Sequence, residues 1–119
     1  MKKIISTIFL FGVLASANML SAQRMTQDKM KSIHSDDIAT FKKQFTPGDY
    51  NKCFLVGNEY FSPLGFSALS GKNVIIAFLL DNKVNVNKKC QNQTPLELAE
   101  LGKNPETIKL ITARGGNRD

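Results

Sequence analysis

The apolar positions fall into two regimes. From Ile4 to Ala17 they form a nearly unbroken run of 14 residues. Beyond Gln23 they recur in short helical blocks cut by turn residues. Ser62-Pro63-Leu64 and Thr94-Pro95-Leu96 lie 32 residues apart. Each reads as a Ser/Thr N-cap, a Pro at the first helical position and an apolar residue. After the first, the pattern predicts a short helix to Ser70, a break at Gly71 and a second helix from about Asn73 to Asp81. That second helix carries Val74, Ile75, Ile76, Phe78, Leu79 and Leu80, so it must be covered on most sides. After the second come a short helix, Gly102, a helix with Ile108, Leu110 and Ile111, and then Gly115-Gly116. A weaker copy lies upstream, with a helix from about Thr26 to Ile33 and then a second helix and exit loop over 34–51.

The first regime reads as an export leader, residues 1–22. Lys2 and Lys3 precede the apolar run, and small residues follow at Ala15, Ala17, Ser21 and Ala22. Cleavage after Ala17 fits the A-x-A pattern; cleavage after Ala22, which would leave Gln23 first, is preferred. The run is shorter than the roughly 20 residues of a spanning helix. The expected mature chain is therefore 23–119, periplasmic or secreted, with no membrane span after cleavage.

A period near 33 with such helix starts resembles the ankyrin repeat. Residues 62–87, SPLGFSALSGKNVIIAFLLDNKVNVN, follow the family pattern without a gap. Ile75-Ile76 stand at the paired Val positions, Leu79-Leu80 at the paired Leu, and Val84 to Asn87 at the A-D-V-N. The resemblance implies an all-α ankyrin-repeat solenoid of about three helix-turn-helix repeats, over 24–57, 58–90 and 91–119. The chain departs from the pattern at named places. Gly65 and Glu97 replace the motif His, Lys83 replaces a loop Gly, and Tyr60 and Asn92 replace the Gly before the helix. Unequal loop lengths predict loops that deviate from regular hairpin geometry.

Composition narrows the chemistry. Of 119 residues, 42% are hydrophobic and 22% charged, an ordinary globular balance for one domain. Net charge is +6, and losing Lys2 and Lys3 leaves 14 basic against 10 acidic residues, too mild to point to nucleic acid. One His, two Cys and no phosphate loop leave little for catalysis, a metal site or a cofactor, so no enzyme is expected. Asp36-Asp37 read as the first turn of a helix, and Lys42-Lys43 and Lys88-Lys89 as solvated pairs.

Cys53 and Cys90 fall, in the repeat register, in exit loops of adjacent repeats. Regular stacking would hold equivalent backbone positions too far apart for a bridge. Their two-residue register difference and the irregular loop lengths would close that gap, and export favours oxidation. A Cys53–Cys90 disulfide is expected, against the alternative of two buried or free thiols.

The resemblance also implies function. Ankyrin arrays bind other proteins, so the expectation is an exported, monomeric binding module that serves, through its concave face, as adaptor or stabilising partner of an envelope protein. The alternatives are an immunity protein against an exported toxin and a structural capping module. In register with the family, contacts would come from helix ends at His34-Ser35, Leu69-Ser70 and Leu101-Gly102. Loop tips would add Glu59, Phe61, Lys89, Gln91 and Gln93. Phe61, Leu69 and Leu101 would form an exposed apolar strip rimmed by Lys89 and Glu59, unless they instead cover gaps in a short stack or lie under the segment from Gln23 to Ile33.

Overall fold

A computed structural model describes residues 23–118. The leader expected at 1–22 lies outside them. Among the described residues no helix is long and apolar enough to cross a membrane.

Each helix begins where a side chain can satisfy its first amides. Helix α1 (Gln27–Ser35) starts after Thr26, whose hydroxyl accepts the Lys29 N–H. Helix α2 (Ile38–Gln44) starts after Asp37, whose carboxylate accepts the Thr40 N–H at 2.9 Å. A 3₁₀ turn at Pro47–Asp49 follows. The two Ser/Thr-Pro starts open α3 (Pro63–Ser70) and α5 (Pro95–Leu101) as expected, with Ser62 and Thr94 accepting from residues three further on. Helices α4 (Asn73–Asp81) and α6 (Pro105–Ala113) complete the second and third pairs. The expected Asn73 and Asp81 bounds of α4 hold.

Consecutive helices pack in pairs, and the pairs stack in chain order. Helices α1, α3 and α5 form one row; α2, α4 and α6 form the other. The greasy α4 lies between α2 and α6 and against α3, which explains why Ile75, Ile76 and Leu79 are all fully buried. Burying one such side chain is worth about 1.5–3 kcal/mol. The first pair, which lacks a Ser/Thr-Pro start, is held by rings. Phe41 stacks on Phe45 at 4.5 Å, and Tyr50, Phe54 and Phe78 close around them edge-on or tilted. Lys29 sets its ammonium 4.9 Å from the Phe45 ring centre.

One expectation fails here. The chain is not all-α: strands β1 (Phe54–Val56) and β2 (Glu59–Phe61) form an antiparallel hairpin between the first and second pairs. The expected all-α ankyrin-repeat solenoid is therefore corrected to a mixed α and β architecture. The reason is local. Phe54-Leu55-Val56 and Tyr60-Phe61 are strand-forming residues on either side of Gly57-Asn58. Gly57 takes φ 63° while Asn58 does not turn positive, which suits a two-residue hairpin turn with Gly first. This stretch is a regular hairpin, contrary to the irregular loop expected. The counterpart at 84–93, before α5, holds no strand. A third chain segment joins the sheet: Leu55 donates its N–H to Gln23 O and accepts from Met25 N, both at 2.8 Å, in parallel register. Met25 is thereby pulled into the core at 1% exposure.

Candidate partner-binding site

The hairpin and the 84–93 loop are the tips of successive pairs, and they meet. Cys53, just before β1, is bridged to Cys90, with Cα atoms 5.5 Å apart. Beside the bridge the Gln91 side chain crosses to the hairpin, where its Oε1 accepts the Tyr60 N–H at 2.6 Å. Asn51 reaches the other way, its Oδ1 accepting the Asn85 N–H. These contacts hold an otherwise strand-free loop against the edge of β2.

Between the two tips lies a cavity of about 170 Å³. Glu59, Tyr60 and Phe61 form the strand wall; Lys88, Cys90, Gln91, Asn92 and Gln93 form the loop wall. Its floor is Ser62, Gly65 and Leu98. Gly65 lets Leu98 and Ser62 close in on the floor. The equivalent residue of the third pair is Glu97, which folds back to accept the Thr94 N–H at 2.8 Å and completes a capping box. Gly65 has no side chain to do so. An added Cβ there would stand 3.0 Å from Leu98 Cδ1 and 3.2 Å from Ser62 Oγ.

Of the loop residues expected from sequence, Glu59, Phe61, Gln91 and Gln93 line this cavity. Lys89 is exposed on the same loop. The helix-end residues lie elsewhere. His34 and Ser35 are exposed at the end of α1, with His34 edge-on to Phe66 at 6.1 Å. Ser35 is occupied with its own turn: its Oγ donates to Ser32 O and accepts from Asp37 N. Leu69 and Ser70 are half-buried, and Leu101 is 60% exposed. The expected apolar strip does not form as an open surface. Phe61 is only 8% exposed and packs edge-on against Phe66 at 5.7 Å, because strand pairing with Phe54 turns it inward. Leu69 packs partly against the core, which leaves Leu101 as the exposed member.

Sequence reasoning did not name Lys88, Asn92, Gly65 or Leu98 as site residues. The Gly65/Glu97 contrast was visible as a departure from pattern. That Gly65 lines a cavity depends on Leu98 arriving from the next pair. The Asp36-Asp37 pair is split. Asp37 caps its own helix, and its carboxyl is held below the usual range by the Thr40 hydroxyl and N–H. Asp36 reaches into the next pair. Among the described residues no cluster of three or more His, Cys, Asp or Glu is placed to hold a metal ion.

No protein-family model matches the chain, and a search of curated proteins returns no match.

Proposed function

We propose that the chain is an exported protein-binding module whose contact surface is centred on the two bridged loop tips, and that it acts as adaptor or stabilising partner of an envelope protein. The observation that carries this reading is the cavity between the tips. Four of the five loop residues singled out by the ankyrin resemblance line it, and it sets the apolar Leu98 and Phe61 among polar neighbours, as protein-binding surfaces do. The bridge supports the exported setting, since structural disulfides persist in oxidising compartments. It also holds both walls in place before a partner arrives, which lowers the ordering cost of association. The stacked order of helix pairs supports the kinship with ankyrin repeats.

The test is affinity capture from the envelope fraction with the oxidised protein as bait. A Glu59→Lys, Gln93→Lys double substitution serves as control, since both side chains are exposed. The wild type should retain one or a few proteins in stoichiometric amount. The variant should lose them while keeping its melting temperature. Capture that is unchanged by the variant would move the surface elsewhere, and no stoichiometric capture would end the reading.

A further inference from the structure

The outer edge of β2 is an interrupted ladder. Leu55 spends its N–H and C=O on the Gln23–Met25 segment, so the Leu55–Tyr60 pair exchanges no bonds within the hairpin. The Tyr60 N–H and C=O must then point away from β1, toward the cavity. By strand alternation the N–H of Ser62, still extended at φ −78° and ψ 163°, points the same way. Two observations show how this edge is treated. The Tyr60 N–H is met by a side-chain amide, Gln91, standing where a backbone carbonyl of another strand would stand. The Ser62 N–H has no acceptor among the described residues, whereas its counterpart Thr94 is met by Glu97. An extended backbone carbonyl would meet the Ser62 N–H, which residue 65, a glycine, cannot cap as Glu97 caps Thr94.

Side-chain room and charge lie alongside. The cavity opens at the same edge, over the apolar Leu98 and Phe61. Glu59 stands on its strand side and Lys88 on its loop side.

We propose that this cavity receives an extended peptide segment of the partner, paired as an added strand along Tyr60–Ser62, with an apolar side chain over Gly65 and Leu98 and an adjacent acidic residue toward Lys88. Strand addition takes its affinity from main-chain hydrogen bonds and its selectivity from side-chain pockets. Here Tyr60 O and Ser62 N–H supply the two-point pairing of a parallel ladder, the same pattern that Leu55 makes with Gln23 and Met25. Gln91 is the internal placeholder that the segment displaces. The inference rests on the protein-binding reading above.

The probe is a phage-displayed library of random nonapeptides, panned on the protein with its bridge intact. Enriched peptides should share an apolar residue beside an acidic one and should shift the amide resonances of Tyr60 and Ser62. N-methylation of the peptide residue paired with them should weaken binding about tenfold, the loss expected for a buried hydrogen bond left unmade. Lys88→Glu should weaken it about fivefold at low salt. Gln91→Ala should tighten it about threefold, because a competitor for the edge is gone; a peptide that merely touched the loop would bind that variant more weakly. Gly65→Leu should block binding, and the Gln91→Ala result stands independently should Gly65→Leu disturb folding. Failure to enrich any peptide, or tolerance of N-methylation, would overturn the inference. Peptides that shift helix-row amides instead would overturn it too, while leaving the protein-binding reading in place.

Discussion

The carboxylate of Asp36 accepts the backbone N–H of Ile75 at 3.1 Å, across 39 residues. Asp36 ends one helix and begins another. It sits at φ 53° after α1, and its side chain serves the first amides of α4, whose own N-cap, Lys72, makes no side-chain cap bond. A matching tie links the second and third pairs: Asn104 Nδ2 donates to Leu69 O at 3.2 Å, at the end of α3. Each helix pair thus finishes a terminus of its neighbour, and the stack is joined by polar ties as well as by its core.

Asp36→Ala should therefore destabilise the whole domain. Loss of a cap costs about 1 kcal/mol, and Ala also tolerates the left-handed backbone poorly. Asp36→Asn should cost little, because Asn accepts the same bond and adopts the same backbone. Thermal melts of the two variants separate the cap from the charge. Equal losses would mean that the carboxylate's charge, and not its hydrogen bond, matters.

Two lysines sit where glycine is usual. Lys83 and Lys103 have φ 65° and 56°. Each follows a helix in the double-bonded terminal turn that Gly71 and Gly115 also make, with Val84 N bonded to Leu79 O and Asn104 N to Ala99 O. A side chain in the left-handed region costs roughly 1 kcal/mol. Lys83→Gly and Lys103→Gly should each raise stability by about 0.5–1 kcal/mol, less the extra entropy glycine gives the unfolded chain. Denaturant titration checks this through a higher midpoint at unchanged slope. A lower midpoint at Lys83 would mean that its side chain contributes a contact outweighing the strain.

The lysine at 83 was legible as a departure from pattern, and so were the helices. Ser62, Thr94 and Gly71 act through bonds within four residues, and Pro63 and Pro95 through their fixed backbone angle, all of which a sequence displays directly. What escaped the sequence depends on distant partners. Residues 54–61 carry strand-forming residues around Gly-Asn, yet reading them as an exit loop placed Phe61 at the surface. Pairing with Phe54 puts it in the core. The cavity required Gly65 from one pair and Leu98 from the next. The Asp36–Ile75 and Asn104–Leu69 ties exist only once the pairs stack. The Cys53–Cys90 pairing was within reach because the chain holds two cysteines in neighbouring loops.

That bridge closes a loop across 37 residues. In the chain-entropy account such a closure stabilises by about 4 kcal/mol. Reduction, or Cys53→Ser with Cys90→Ser, should lower the melting temperature by well over 5 °C in a domain of this size. It should also loosen the 84–93 loop more than the helices, because that loop has no strand of its own. Peptide mass spectrometry without reductant should find the two cysteine peptides joined. Amide exchange before and after reduction should show the largest gain at Gln91 and its neighbours. A uniform gain across all helices would mean that the bridge supports the whole stack instead of the tip.

Acid should expose a further contribution. The Asp37 carboxyl is held below its ordinary range by the Thr40 hydroxyl, the Thr40 N–H and the charge of Lys43. Burial opposes the charge of Asp49, but the Thr46 N–H, Lys52 and the Thr46 hydroxyl outweigh it, and this carboxyl too is lowered. A group whose folded pKa lies below its unfolded one stabilises fully above the unfolded value and loses that stabilisation as pH falls through the folded value. Both caps should therefore contribute fully above about pH 5 and fade below about pH 4. The melting temperature should be level across the upper range on their account and then decline. Asp37→Asn with Asp49→Asn keeps neutral acceptors at both caps but removes the titrating charge. In that variant the plateau should be lower and the acid decline shallower. An identical acid slope in wild type and variant would assign the decline to groups other than these two caps.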